Sequence, residues 1–164
     1  MRALIGCVAT VVLAVGVSRA GEEKIALDKL PKAVTAAVKK RFPKAEMVEA
    51  AKETEGDKTE YEVSLKDGTT KMDVMLSPDG KITLIEKVID DKNLPKAVTA
   101  ALAAKYPKAT TKLAEEVVKV VDGKETLDFY EVILVAADKK TYEVQITADG
   151  TIKQTEEKKD EEKK

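Results

Sequence analysis

Histidine and tryptophan are absent from this 164-residue sequence, and cysteine occurs once, as Cys7. Without histidine the chain lacks the side chain that most often moves protons at neutral pH. With one thiol it cannot form an internal disulfide or build a cysteine-based metal site. Aromatic residues make up 4% of the sequence, which leaves few of the anchors that dominate protein interfaces. Charge of one sign is also missing: 29 basic residues face 30 acidic ones, interleaved, for a formal net charge of -1. No polybasic stretch suited to nucleic acid and no glycine-rich phosphate loop is present.

The single long apolar run is Ala3 to Val17, 15 residues, preceded by Met1-Arg2 and followed by Ser18-Arg19-Ala20. It is short for a membrane span, which needs about 20 residues. A positive start, an apolar stretch and small residues at the cleavage positions read as a signal peptide of residues 1–20, cut after Ala20. The predicted mature chain is periplasmic or secreted and has no membrane span. Leu4-Ile5-Gly6-Cys7 resembles the box before a lipidated cysteine, but too little sequence precedes it to make the usual apolar region. Cleavage after Ala20 removes Cys7, Arg2 and Arg19, so the mature chain is thiol-free and more acidic than the whole. Its stability must come from core packing.

What the sequence does have is a repeat. Leu30 to Ala37 and Leu94 to Ala101 are the same eight residues, Leu-Pro-Lys-Ala-Val-Thr-Ala-Ala, 64 positions apart. The likeness runs on into Arg41-Phe42-Pro43-Lys44-Ala45 and Lys105-Tyr106-Pro107-Lys108-Ala109. A repeat resets the unit of reasoning. Leu30, Val34, Val38 and Phe42 recur every four residues and predict one apolar helix face, as do Leu94, Val98, Leu102 and Tyr106. Asp28 is placed to cap the first helix, after the polar lead of Gly21 to Leu27. Pro43 and Pro107 end the two helices.

Strands follow each helix. Ala45 to Glu53 predicts a first strand. Tyr61, Val63 and Leu65 then alternate with Glu62, Ser64 and Lys66, the period of a half-buried strand. Met72, Val74 and Leu76 repeat the pattern, and Ile82 and Leu84 open a strand running to about Ile89. In the second unit Leu113 to Val121 is the first strand. Tyr130, Val132 and Leu134, then Tyr142, Val144 and Ile146, match the central strands, and Ile152 matches Ile82. Asp67, Asp79, Asp122 and Asp149 each precede a glycine, as tight hairpin turns require. The fold class is therefore α+β, with two tandem repeats, each one helix packed on an antiparallel sheet of about four strands. The divisions are 1–20, 21–89, 90–155 and a charged, disordered tail at 156–164. A unit of about 65 residues is marginal alone, so the two are expected to associate side by side, one continuous sheet being a way to do so.

The motifs Leu-Pro, Ala-Val, aromatic-Pro-Lys-Ala, Tyr-Glu-Val and the Asp-Gly turn resemble the PepSY-like family. The chain is most similar to its tandem, beta-lactamase-inhibitor-like branch, over about residues 28–155. The resemblance implies an exported, non-enzymatic domain with a helix on an antiparallel sheet, engaged in inhibiting or regulating envelope peptidases. Two features depart from a beta-lactamase inhibitor: the mature chain has no cysteine, and five of its six aromatics fall at inward positions.

Read residue by residue, the chain is not an enzyme and calls for no cofactor. Ser64 and Ser77, the mature serines, lack a nucleophile turn. The Asp-Gly aspartates lack the alternating acidic spacing of a calcium loop and are explained by turn chemistry. One asymmetry between repeats points to a partner. Where the first unit has Glu62, Ser64 and Lys66, the second has Glu131, Ile133 and Val135, with Phe129 just before. Met75 is an outward apolar residue of the first unit. These five (Met75, Phe129, Glu131, Ile133 and Val135) are the candidate partner-binding residues, on an outward sheet face. The competing reading buries that strand between the units, since strands buried on both faces read as apolar runs. The expected function is protein binding, with a secreted or envelope peptidase as partner; the alternative is a small-ligand or cation-binding envelope protein.

Overall fold

The computed structural model describes residues 22–158; residues 1–21, which include Cys7 and the expected signal peptide, and residues 159–164 lie outside them. Nine strands and two helices make up the fold: β1 (Glu22–Ile25), α1 (Lys32–Arg41), β2 (Glu46–Glu55), β3 (Lys58–Asp67), β4 (Thr70–Leu76), β5 (Ile82–Val88), α2 (Lys96–Lys105), β6 (Thr110–Val121), β7 (Lys124–Val135), β8 (Thr141–Ile146) and β9 (Ile152–Lys158). The strands form one sheet in chain order, every neighbour antiparallel. The two repeats lie side by side in one continuous sheet, joined where β5 pairs with β6.

Three local expectations are corrected. Glu22–Ile25, read as a polar lead, pairs with β2 as an edge strand, with Ile25 opposite Ala50 and packed against the first core. Asp28 does not cap α1: it lies in a single 3-10 turn, and the helix begins at Pro31 with no side-chain cap. Proline there locks φ near its helical value and removes one N–H that would go unpaired, but its side chain caps none of the others. Finally, Glu156, Glu157 and Lys158, assigned to the disordered tail, complete β9, where Glu156 pairs with Glu143. Composition alone argued for disorder, but Glu143, Tyr142 and Thr141 on β8 offer backbone partners for a strand that continues past Thr155.

Both helices pack on the same face. Leu30, Val34 and Val38 are buried with Val63, Leu65, Val74 and Leu76, and Phe42 and Tyr61 close the edge of this core. Leu94, Val98 and Leu102 are buried with Tyr130, Val132, Leu134, Val144 and Ile146. The four-residue spacing thus does what an apolar helix stripe should do. β6 belongs to both halves: Val118 and Val120 pack on the first core, while Ala114 packs on the second.

The turns before β5 and β9 are built alike. Gly80 N–H donates to Ser77 O and Gly150 N–H to Thr147 O. The Asp79 carboxylate accepts from the Ser77 hydroxyl and the Lys81 N–H; Asp149 does the same with Thr147 and Thr151. These hydrogen bonds hold both aspartates below the usual carboxylate range. Their carboxylates are engaged by their own turns, as Asx chemistry requires. Each glycine has positive φ, +85° and +88°, and lies directly against the first turns of a helix, Gly80 on Ala33 and Gly150 on Ala97.

Candidate functional site

Strand pleating sends alternate side chains to the sheet face opposite the helices. The register defines the rows across that face. One runs Glu62, Met75, Leu84, Lys119 and another Ser64, Asp73, Glu86, Val117, Phe129. A third runs Val88, Glu115, Glu131, Gln145, Gln154, and a fourth Leu113, Ile133, Glu143, Glu156.

All five candidate residues are on this face. Phe129, Glu131, Ile133 and Val135 follow one another along β7, whereas Met75 lies three strands away on β4. Met75, Phe129 and Glu131 are buried; Ile133 and Val135 keep partial exposure. The apolar surface that this strand offers to a partner is therefore carried by Ile133 and Val135. Phe129 is covered by Lys153, whose ammonium sits 4.7 Å from the ring centre. Aromatic anchors are not available here: Phe42, Tyr61, Tyr106, Tyr130 and Tyr142 all pack on the helix side.

Sequence reasoning missed the centre of the face. Glu86, Glu115 and Glu131 are each 1% exposed and Glu143 is 2% exposed, although neither helix packs there. Burial of unpaired carboxylates is costly, and their partners divide them into two classes. Glu143 has one: the Lys158 ammonium lies 2.6 Å from its Oε2. Asp128 has two, Lys119 at 2.5 Å and Lys153 at 3.0 Å. Burial works against ionisation of Asp128, but hydrogen bonds from these lysines hold its carboxyl below the ordinary range.

Glu86 Oε1, Glu115 Oε2 and Glu131 Oε1 have no hydrogen-bond partner and no contact with solvent. Glu131 accepts a single bond on its other oxygen, from Gln145 at 3.3 Å. Burial, then the neighbouring Glu131 and Glu115, push the Glu86 carboxyl up to about 10. Burial and then Glu131 push Glu115 to about 8. Burial and then Glu143 push Glu131 to about 8, against the Gln145 bond. Asp73 is raised by burial, partly opposed by the Ser64 hydroxyl that it accepts at 2.5 Å. The signal in the sequence was the set of Glu residues at outward strand positions, which ordinarily means a solvated face. Nothing in the alternation itself says that such a face is buried.

This face has weak means for chemistry. The Ser64 hydroxyl lies in the same row as Glu86 but donates to Asp73, and among the described residues no histidine stands beside it to act as a base. Among the described residues no group of carboxylates is arranged to hold a metal ion. One small cavity, about 180 Å³, opens elsewhere, between α2 and β6, lined by Leu94, Leu102, Tyr106 and Leu134.

The Lys158–Glu143 pair gives a direct test of how β9 is held. Lys158→Ala leaves a buried carboxylate without its partner. It should destabilise the protein by about 2 kcal/mol at pH 7, a value tempered by the 30% exposure of the Lys158 side chain. Urea unfolding of the variant beside the parent at pH 7 checks it, and an unchanged midpoint would show that the pair does not hold β9.

Comparison with known proteins places this fold. Solved structures share it at low identity. One is a BLIP-like protein from Bacteroides fragilis, 16% identical, covering 80% of this chain and 90% of its own, with a TM-score of 0.57. Another is described as a "putative periplasmic" protein from Bacteroides eggerthii, 17% identical, covering 77% and 88%, with a TM-score of 0.63. A third, from Bacteroides uniformis, is 19% identical over 77% and 88%, with a TM-score of 0.62. A search of curated proteins found no significant match. The family described as "Putative beta-lactamase-inhibitor-like, PepSY-like" matches twice, over residues 19–86 and 79–159. Two matches, one on each helix and the strands after it, span nearly the whole described chain, and the protein belongs to the PepSY-like family.

Proposed function

We propose that the mature protein is an exported, non-catalytic module that binds a protein partner, an envelope peptidase being the specific case, on the sheet face opposite the helices. The observation that carries this reading is the face itself. A sheet of nine strands is covered by helices on one side only. The other side presents half-exposed Leu84, Val88, Ile133 and Val135 around buried carboxyls. Apolar side chains left partly open beside polar groups are what a binding surface offers. Export is supported by the leader-like N-terminus and by the description of the similar Bacteroides eggerthii protein as periplasmic. A non-catalytic role is supported by the absence of histidine and of a mature thiol.

The test compares three forms of the mature chain as bait in an envelope extract: the parent, Ile133→Arg/Val135→Arg, and Lys32→Glu/Lys39→Glu on the outer face of α1. Circular dichroism confirms that each is folded. A protein retained by the parent and by the helix variant, and lost at least tenfold by the sheet variant, supports the reading. Equal retention by all three, or loss only with the helix variant, overturns it.

A further inference from the structure

We infer that the junction between the two repeats is a proton-dependent clasp, in which Glu86, Glu115 and Glu131 keep β5, β6 and β7 together as neutral acids and loosen them on ionising. This inference stands apart from the identity of any partner. Its basis is where the three carboxyls lie. β5 pairing with β6 is the connection that makes one sheet of the two repeats, through the pairs from Leu84–Lys119 to Val88–Glu115. Glu86 and Glu115 lie within that short register, and Glu131 is directly opposite Glu115 on β7. One acid from each of three consecutive strands is thus gathered at the seam, and each has a buried oxygen with no partner.

On its orphaned oxygen an ionised carboxylate in such a place has neither water nor a donor, the Gln145 bond serving only the other oxygen of Glu131, and three on adjacent strands repel one another. The neighbours on every side fail to relieve this. From β3 and β4 come Glu62, Ser64 and Asp73, with the Ser64 hydroxyl already given to Asp73. From β2, Glu49 is opposite Ser64 and pairs with Lys24. From β8 come Glu143 and Gln145, and from β9 Gln154, Glu156 and Lys158, the lysine taken by Glu143. Lys119 on β6 is taken by Asp128. Lys66 and Lys71 lie at the far end of β3 and β4, and Lys71 acts on Asp73. Among the described residues no lysine or arginine forms an ion pair with Glu86, Glu115 or Glu131. The raised carboxyls described above agree with this geometry.

The sign follows from linkage. Each of these groups binds its proton more tightly folded than unfolded, so the unfolded chain ionises first as pH rises. Well below the ordinary carboxylate value of 4.5 the two states are equally protonated. Stability then falls as pH climbs, and the loss is complete only above the folded values of about 8 to 10.

The experiment is a titration of the mature chain with carbon-13 in its glutamate carboxyls, between about pH 5 and pH 10, read together with backbone amide shifts and urea midpoints. We expect three carboxyl resonances to titrate well above the rest, amides of β5, β6 and β7 to follow the same curves, and the urea midpoint to fall with pH. In the Glu86→Gln/Glu115→Gln variant two of the resonances disappear and the fall in midpoint flattens. The clasp is overturned if every glutamate titrates in the ordinary range. It is also overturned if the high-titrating carboxyls leave the amides of the three strands unmoved. The titration of the parent decides the matter even if the variant does not fold.

Discussion

Gly80→Ala and Gly150→Ala should each lower the melting temperature by about 10 °C, whereas Gly68→Ala and Gly123→Ala, also in Asp-Gly turns, should lower it far less. All four glycines have positive φ, so an added Cβ costs about 1–2 kcal/mol at any of them. The difference lies in what the Cβ would meet. At Gly68 and Gly123 it meets open space. At Gly80 it would lie 2.5 Å from the Ala33 carbonyl oxygen, and at Gly150 2.7 Å from that of Ala97. Those oxygens belong to helix backbone and cannot step aside as a flexible side chain would. The turn must lift from the helix, losing contact at the point where β5 or β9 begins. Overpacking of this kind adds about 1–3 kcal/mol, and a chain of this length loses about 2–4 °C per kcal/mol. Thermal melts of the four variants side by side give the answer. Equal losses would show that strain in φ, and not the helix contact, sets the penalty.

Leu76→Ala and Leu134→Ala should each cost about 2–5 kcal/mol, and each should lower one transition for the whole molecule. Leu76 is fully buried in the first core and Leu134 is 2% exposed in the second. Truncation removes transfer energy and leaves a cavity that a sheet packed under a helix cannot close. β6 couples the two cores, since its Val118 and Val120 pack on the first while its Ala114 packs on the second. A defect in either core therefore loosens a strand that the other core needs. Calorimetry distinguishes the cases: one transition with matching calorimetric and van't Hoff enthalpies is expected. Two separated transitions in either variant would mean that the repeats melt independently.

The repeat made much of this architecture legible. Leu30, Val34, Val38 and Phe42, and their counterparts 64 positions on, named the two helices and the faces that they bury. Alternation named the central strands, because one face of each is packed and the other is not. That the units lie side by side could be read, but not which strands join them. A β-strand pairs through its backbone, so the side chains of Leu84 to Val88 carry no mark that Glu115 to Lys119 will be their neighbours. Edge strands suffered for the same reason: Glu22–Ile25 and Glu156–Lys158 are polar in sequence and are strands by virtue of the partner beside them. The candidate face was legible in direction but not in depth. Met75, Phe129, Glu131, Ile133 and Val135 do point away from the helices. That Glu131 is buried, and sits beside Glu115, depends on pairing across the seam and on the neighbours that crowd it.

Each strand of the sheet lies beside the one that precedes it in the chain, from β1 to β9. No segment has to thread past another, and every strand pairing closes either a short turn or the span of one helix. Such local wiring favours rapid folding. It also makes the architecture additive. Inserting a helix and its strands at β9 lengthens the sheet at its growing edge without rewiring anything laid down earlier, so a duplicated gene segment encoding one unit yields a foldable product at once. The identity of Leu30–Ala37 and Leu94–Ala101 is the trace that such a copying event leaves in a meander of this kind.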